Sequence, residues 1–268
     1  MNSVLRDDAL AGRVVLVTGG GTGIGRAVAL ACARAGANLA VCGRRSEPLA
    51  EVAKQVADLG RECLTISCDV REPEQVTRLV DDVLAGYGRI DVLANGAGGQ
   101  FMAAAEQISV GGWRAVHRLA VEAAWSVTRE VAIRAMIPHR SGLVVFVAFS
   151  PRRGIPGMVH ATAARAAVEN LAAGLSLEWS RYGIRSVAVA PGTILTDGLR
   201  VQYPQEAIDE WTRAVPLGRL GDPDEVGELV AYLATDAARY VTGTTVVIDG
   251  GADAWGTGRP VPDPEPDR

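Results

Sequence analysis

The run TGGGTGIG at residues 18–25 has the composition of a phosphate-binding turn. Glycines let such a turn tighten and let its backbone come close to a pyrophosphate. An apolar run from residue 14 to 18 precedes the turn and an amphipathic stretch follows it, which predicts a strand–turn–helix unit. Free N–H groups and the dipole at the start of that helix favour a phosphate. The predicted contacts are Thr18, Gly19, Gly21, Thr22, Gly23, Ile24 and Gly25.

The end of the second apolar run, Asn38 to Cys42, indicates which dinucleotide the turn binds. An acidic residue there would hydrogen-bond the ribose 2′-hydroxyl and select NAD. The chain instead has Arg44 and Arg45, and the next carboxylate is Glu47. A guanidinium group matches the geometry of a 2′-phosphate and can stack on adenine. We therefore predict NADP(H) as the cofactor.

The elements that must position these residues follow an alternating order. Short β-branched runs predict strands at 14–18, 38–42, 62–67, 90–94, 143–148, 184–190 and 245–248, and amphipathic stretches predict helices at 24–35, 47–59, 73–86, 111–136 and 159–182. This order predicts an α/β fold, with a doubly wound parallel (Rossmann) sheet of about seven strands and helices on both faces.

The sequence predicts one dinucleotide-binding domain over residues 1–255. Residues 256–268 hold four prolines and several charges, so we expect a flexible or surface-wrapped tail.

Composition excludes several classes of partner. The formal net charge of −4 and the pI of about 5.5 argue against nucleic-acid binding. Charged residues near the start argue against a signal peptide, and no uncharged apolar stretch reaches the ~20 residues of a membrane span. Histidine, cysteine and carboxylate residues do not cluster at metal-ligand spacing. The four cysteines lack CxxC spacing, so we expect buried, reduced thiols in a cytoplasmic protein.

Four further motifs accompany the glycine turn: CDV (68–70), NGAG (95–98), PGTILTDG (191–198) and IDGG (248–251). In this order and spacing the chain resembles the short-chain dehydrogenase/reductase family over nearly all its length. The resemblance implies that residues 69–70 contact adenine, that residues 95–98 line the adenine ribose and that the 191–198 motif holds the nicotinamide end. The implied residues are Asp69, Val70, Asn95, Gly96, Ala97, Gly98, Pro191, Gly192, Ile194 and Thr196. The resemblance also implies a substrate lid at about 195–216.

The catalytic positions of that family are altered. The family usually carries an Asn–Ser–Tyr–Lys tetrad, and the resemblance puts Ala120, Ala148, Ala161 and Arg165 at those positions. Alanine has no proton to offer, and arginine can anchor ribose hydroxyls but relays protons poorly. General acid–base assistance is typically worth about 10²–10⁴-fold. The resemblance therefore implies weak alcohol–ketone interconversion.

Residues 98–109 and 155–179 resemble the trans-2-enoyl-CoA reductase branch, which is related to the 2,4-dienoyl-CoA reductases and also lacks the usual tyrosine. Hydride addition to an enoyl thioester produces an enolate, which needs hydrogen-bond donors at oxygen and a later proton at carbon. The resemblance thus implies NADP(H)-dependent reduction of an activated C=C bond, with a small-molecule substrate such as an acyl-CoA. Arg152 and Arg153 either receive CoA phosphates or are solvated.

Several side chains are candidates for the reacting centre. Ser150, His160 and Arg165 are the candidate catalytic residues, and Gln100, Phe101, Phe149 and Tyr203 are the candidate substrate pocket, with Trp113 and Trp211 nearby. Two alternatives stay open: a catalytically silent NADP(H)-binding protein, and a carbonyl reductase or alcohol dehydrogenase with an unconventional proton donor such as His160. Relatives often pair through the long helices, so we expect a homo-dimer or homo-tetramer.

Overall fold

The computed structural model of the chain describes residues 5–150 and 154–255. Seven strands form one parallel sheet in the order β3-β2-β1-β4-β5-β6-β7. The strands are β1 (Val14–Thr18), β2 (Asn38–Gly43), β3 (Cys63–Ser67), β4 (Val92–Asn95), β5 (Gly142–Val147), β6 (Ile184–Pro191) and β7 (Thr245–Ile248). This arrangement confirms the predicted doubly wound α/β class.

Helices connect the strands and cover both faces of the sheet. They are α1 (Gly23–Arg34), α2 (Ser46–Asp58), α3 (Pro73–Tyr87), α4 (Val110–His117), α5 (Ala123–Val131), α6 (Ile137–His139), α7 (Val159–Trp179), α8 (Asp197–Gln202), α9 (Gln205–Arg213) and α10 (Pro223–Ala234). Within the described part of the chain, no helix is long and apolar enough to cross a membrane.

The position of β1 determines where a ligand can bind. Thr18, the last residue of β1, pairs with Cys42 of β2 on one side and with Asn95 of β4 on the other. The chain runs outward from β1 through β2 and β3, then returns to β4 on the opposite side. Ligands of open α/β sheets bind in the crevice at the carboxyl ends of the strands where the order reverses. The glycine turn follows β1 at that point.

Burial on both faces explains why β1 is apolar throughout. Val15 and Val17 pack into one hydrophobic cluster, together with α1 and α10. Val14 and Leu16 point to the other face and pack into a second cluster, together with α3 and α5. Strands buried on both faces are expected to read as continuous hydrophobic runs.

The prediction of buried cysteines is confirmed at three of the four positions. Cys32, Cys42 and Cys68 are buried and Cys63 is half-buried, and all four are free thiols. Burial raises the pKa of Cys32 to about 12, so that this thiol stays protonated at neutral pH.

The structure corrects several predicted boundaries. The long helix predicted at 111–136 begins at Val110 and continues to His139, and two π-helical turns, Arg118–Glu122 and Ala132–Met136, interrupt it. The segment predicted as a lid contains α8 and α9, which the sequence analysis did not predict because these helices are only six and nine residues long. Residues 256–268 lie outside the described residues.

Candidate active site

A cleft of about 1040 Å³ opens at the carboxyl edge of the sheet. Its walls come from the glycine turn, the ends of β2 to β6, the start of α7 and the segment that contains α8 and α9. The arginine pair predicted to select the cofactor lies at one end, and Tyr203 and Trp211 line another part of the cleft. Most of the predicted site residues therefore share one cavity.

The glycine turn is shaped by close backbone contacts. A Cβ atom built on Gly25 would lie 2.2 Å from the carbonyl oxygen of Gly19, and Gly19 itself has φ = +67°. The hydroxyl of Thr18 accepts a hydrogen bond from the backbone N–H of Ala97 at 3.1 Å, which ties the turn to the loop after β4. The N–H of Gly20 donates to the carbonyl oxygen of Cys42 at 3.2 Å, and the start of α1 lies next to the turn, where a helix favours a phosphate.

The end of the cleft beside β2 and β3 is rich in charge. Arg44 and Arg45 are exposed and line the cleft, together with Asp69, Val70 and Arg71. The guanidinium group of Arg71 donates to both carboxylate oxygens of Asp69, with Nη2–Oδ2 at 2.5 Å and Nε–Oδ1 at 2.9 Å. The hydrogen bonds from Arg71 hold the pKa of Asp69 at about 2. Asp69 is therefore ionised at neutral pH.

Asn95 is placed behind the cleft wall. Its side-chain amide donates to Thr128 Oγ1 at 3.0 Å, and its Oδ1 is buried without a hydrogen-bond partner among the described residues. Gly96, Ala97 and Gly98 line the cleft, whereas Asn95 does not. The structure thus gives Asn95 a supporting position beneath this loop.

The residues after β6 also line the cleft. Pro191, Gly192, Ile194 and Thr196 all lie in its wall. The hydroxyl of Thr196 accepts a hydrogen bond from Leu199 N–H at 3.2 Å, so it caps the start of α8. This contact fixes the point at which the chain leaves the sheet and enters the segment over the cleft.

Three alanines were expected at the positions of proton-transfer groups. Ala148 lines the cleft beside the carboxyl end of β5. Ala120 and Ala161 are buried together in a small apolar cluster with Val116 and Ala164, and Ala120 lies within the first π-helical turn. Alanine methyl groups offer no proton donor or acceptor in this region.

Arg165 extends from α7 into the cleft. Its Nη1 donates to the carbonyl oxygen of Val147 at 2.7 Å, and a Cβ atom built on Gly98 would lie 2.3 Å from Nη2. The side chain is half-buried and forms no ion pair with the described residues. Burial lowers the pKa of Arg165 to about 10, so the group stays charged at neutral pH. A cation held in this way favours an oxygen-rich or anionic ligand.

His160 does not line the cleft. Its ring is fully buried with its centroid 4.3 Å from that of Phe101, and neither ring nitrogen has a hydrogen-bond partner among the described residues. Burial, together with the nearby His117, lowers the pKa of His160, so the ring is neutral at physiological pH. The structure therefore places this candidate in the packing behind the cleft.

Ser150 lines the cleft, but its proton is engaged. The hydroxyl donates to Asp249 Oδ2 at 2.5 Å, and Asp249 also accepts from the N–H groups of Gly251 and Asp253. A hydroxyl has one proton to donate. Ser150 consequently presents oxygen lone pairs to the cleft and is a poor proton donor there.

The structure places three of the four expected substrate-pocket residues in the cleft. Gln100, Phe149 and Tyr203 line the cleft, with the Tyr203 ring edge-on to Trp211 at 4.8 Å. Phe101 does not line it, because its ring packs against His160. Trp113 also lies outside the cleft and stacks on His117.

Sequence reasoning missed several apolar side chains of the wall. They are Met102, Leu119, Ile155, Pro156, Met158, Leu199 and Val215. Most of these residues lie in loops or at helix ends, where no hydrophobic period marks them. Arg152 and Arg153 lie outside the described residues. Across residues 5–150 and 154–255, no group of three or more His, Cys, Asp and Glu side chains could hold a metal ion.

Comparison with known proteins defines the class. The family model described as Enoyl-(Acyl carrier protein) reductase matches residues 19–253. Together with the seven-stranded parallel sheet, this match shows that the chain belongs to the short-chain dehydrogenase/reductase family of oxidoreductases.

Two relatives are similar to this chain over most of its length. A probable 2,4-dienoyl-CoA reductase of Bacillus subtilis is 34% identical over 243 residues, which cover 89% of this chain and 96% of the relative. The peroxisomal 2,4-dienoyl-CoA reductase of Pongo abelii is 36% identical over 248 residues, or 91% of this chain and 85% of the relative.

Solved structures have the same fold. A citronellol catabolism dehydrogenase of Pseudomonas aeruginosa superimposes with a TM-score of 0.84 at 34% identity, covering 94% of this chain and 100% of that chain. A short-chain type dehydrogenase/reductase of Mycobacterium marinum gives a TM-score of 0.87 at 33% identity, covering 92% and 98%.

Proposed function

We propose that this protein is an NADP(H)-dependent reductase of a C=C bond conjugated to a thioester carbonyl, as in an enoyl-CoA. The observation that carries the proposal is the composition of the cleft beside β5. Arg165 and Ala148 line it there, while Ala120 and Ala161 pack together in an apolar cluster. We infer that these four residues replace the family's tetrad. The names of the dienoyl-CoA reductase relatives support the choice of substrate.

The residues present fit a phosphorylated dinucleotide. The contact between Gly25 and Gly19 leaves no room for a Cβ atom, which suits a turn that wraps a pyrophosphate. Arg44 and Arg45 would hold the adenosine 2′-phosphate, while the residues at 191–196 would hold the nicotinamide end. When bound there, NADPH supplies the hydride.

Reduction of the proposed substrate does not need a side chain that donates a proton to the substrate oxygen. An enoyl thioester that accepts a hydride at its β-carbon shifts an electron pair toward the thioester oxygen and becomes an enolate. Its α-carbon then takes a proton from solvent. In this proposal Arg165 holds the nicotinamide ribose and places positive charge beside the developing enolate. Neither role requires a tyrosine–lysine pair.

The rival proton-donor hypotheses receive less support. His160 is buried behind the cleft, against Phe101, and the proton of Ser150 is directed at Asp249. Carbonyl reduction through His160 would need a rearrangement of packed side chains, and reduction through Ser150 would need its hydroxyl to leave Asp249.

Residues 1–255 would form the one domain of a protein that assembles as a homo-dimer or homo-tetramer. The four free thiols support the predicted cytoplasmic location.

Oxidation of NADPH with a panel of substrates tests the proposal. We expect turnover with crotonyl-CoA, longer 2-enoyl-CoA esters or 2,4-dienoyl-CoA esters, and little with ketones. Turnover indistinguishable from background across all chain lengths, by protein that binds NADPH tightly, would overturn it and favour the catalytically silent alternative.

The variant Arg165→Met tests the assigned cation. Because it removes the charge but keeps an unbranched side chain, we expect kcat to fall by about 10²–10³-fold, as when an oxyanion donor is lost. Arg165→Lys should retain more activity than Arg165→Met. The matched control is Arg239→Met, which removes an exposed arginine outside the cleft and should leave kcat unchanged. An unchanged kcat for Arg165→Met would contradict the assigned role.

A further inference from the structure

Two neighbouring turns form the adenosine end of the cleft. Arg44 and Arg45 follow β2, while Asp69 and Arg71 follow β3. The two strands pair up to their last residues, and the N–H of Cys68 donates to the carbonyl oxygen of Gly43 at 3.0 Å beyond that point. The four charged side chains are therefore held at one corner of the sheet.

Asp69 presents a difficulty for a phosphorylated adenosine. Its carboxylate lines the cleft and is ionised, so it would repel a 2′-phosphate bound by the neighbouring arginines. Arg44 is close enough to act electrostatically on Asp69, which places the carboxylate within the field of the predicted phosphate site. An unpaired carboxylate this close to Arg44 would weaken binding of the phosphorylated cofactor.

Arg71 pairs with this carboxylate. Its Nη2 and Nε atoms donate to both oxygens of Asp69, and its backbone N–H donates to Oδ1 at 3.1 Å. Gln75 Oε1 accepts from the backbone N–H of Asp69 at 2.9 Å, which fixes the turn independently of the guanidinium group. The side chains of Asp69 and Arg71 are 20% and 31% exposed, so solvent screens the pair only in part.

We propose that Arg71 is a specificity-determining residue of the cofactor site, which cancels the charge of Asp69 so that Arg44 and Arg45 can bind an adenosine 2′-phosphate. The inference rests on the proposed NADP(H) dependence and assigns to Arg71 the discrimination against the unphosphorylated cofactor. Arg71 acts here through Asp69, as a positioning and neutralising residue. Loss of a purely structural residue would weaken phosphorylated and unphosphorylated ligands equally.

Calorimetric titration of the full chain separates these cases. The ligands are adenosine 2′,5′-bisphosphate and adenosine 5′-monophosphate, which differ only in the 2′-phosphate. For Arg71→Gln we expect affinity for the bisphosphate to fall about tenfold or more at low salt, because a carboxylate near a phosphate becomes unpaired. Affinity for the monophosphate should change by less than about twofold, since a neutral 2′-hydroxyl is not repelled.

Two further variants complete the design. Asp69→Asn in the Arg71→Gln background removes the repelling charge and should restore most of the lost bisphosphate affinity. Arg239→Gln is the control, because Arg239 is exposed and lies outside the cleft. Thermal unfolding of each variant verifies that it is folded before titration.

The outcomes distinguish this inference from the proposed function. If the unmodified protein binds both ligands equally, NADP(H) dependence itself is wrong. If it prefers the bisphosphate but Arg71→Gln lowers both affinities alike, only the inference is overturned. A selective loss that Asp69→Asn fails to reverse would also overturn it, because Arg71 would then act on the phosphate directly.

Discussion

At residue scale, Gly25 shows how closely the turn is packed. The three heavy atoms nearest to the Cβ atom of an alanine at this position would belong to the backbone, among them Gly19 O at 2.2 Å and Gly20 Cα at 3.2 Å. Backbone cannot give way as a flexible side chain can, so the turn or α1 must shift. For Gly25→Ala we expect a loss of about 1–3 kcal/mol of stability, typical of overpacking. NADPH affinity should fall at least about tenfold, because the phosphate-binding N–H groups move.

Gly111→Ala is the control for this variant. Gly111 is exposed on α4, and its nearest neighbour would be Ser109 Oγ at 3.8 Å from the added Cβ atom. Alanine in a helix should be neutral or stabilising by up to about 1 kcal/mol. Urea unfolding and fluorescence titration with NADPH measure the two effects. Equal NADPH affinity in the Gly25→Ala variant and the unmodified protein would contradict the assigned role of the turn.

At the scale of elements, the start of α10 carries a complete capping box. Asp222 Oδ1 accepts from the N–H of Asp224, and Glu225 accepts from the N–H of Asp222 at 2.8 Å. Arg219 adds two hydrogen bonds to the Glu225 carboxylate. These contacts, led by Arg219, hold the pKa of Glu225 at about 2 against an ordinary 4.5. The box fixes the helix that packs on α1 behind the glycine turn.

The pH dependence of this box has a definite sign. Because the folded pKa of Glu225 is depressed, its stabilisation is fully present above pH 4.5 and is lost as the pH falls toward 2. Glu225→Gln should therefore cost about 1 kcal/mol at pH 7, and this difference should shrink progressively below pH 4.5.

Urea unfolding at several pH values measures this effect. Glu74→Gln, an exposed first-turn glutamate of α3, is the matched control and should cost less. A cost for Glu225→Gln that is independent of pH would contradict the assignment.

The long helical segment before β5 illustrates a limit of periodicity at this scale. Its apolar spacing predicts a helix, and the helix is present. At the π-helical turn Arg118–Glu122, Ala120 packs against Ala161 and Ala164 of α7, and the apolar spacing marks neither the turn nor this contact. Such turns are frequent at functional sites.

At the scale of the whole molecule, one face of α7 exposes a stripe of small and apolar side chains at helical spacing. Its members are Ala163, Ala166, Ala167, Gly174 and Leu177, and the exposed polar residue Asn170 lies among them. Leu177 is 80% exposed. A stripe of this kind lets a second helix approach closely, so we expect it to pack against a second copy of the chain.

Leu177→Arg tests this expectation. A charge in the middle of an apolar contact would be desolvated without a partner, so we expect the mass measured by size-exclusion chromatography with light scattering to fall toward that of one chain. Val201→Arg is the control, because Val201 is 89% exposed but lies on α8, away from the stripe. A monomeric unmodified protein, or an unchanged mass for Leu177→Arg, would exclude this surface as the interface.

The sequence by itself determined the features that depend on local order along the chain. The glycine turn lies between β1 and α1 as predicted, because hydrophobic period and glycine content are local signals. The alternation of strands and helices was sufficient to predict the parallel sheet. Connections between elements are short and crossovers between parallel strands are almost always right-handed, so few topologies are possible. Arg44, Arg165 and Ala148 line the cleft because they lie on or next to these predicted elements.

Only the tertiary structure decided which candidates face the cleft. The sequence offered His160 and Ser150 equally as candidate catalytic residues. In the structure His160 is buried against Phe101, and Ser150 donates its proton to Asp249, 99 residues away. Side-chain direction and long-range contacts depend on packing between distant segments, and no local pattern encodes them. The sequence predicted a dinucleotide site, and the fold determined which groups can act in it.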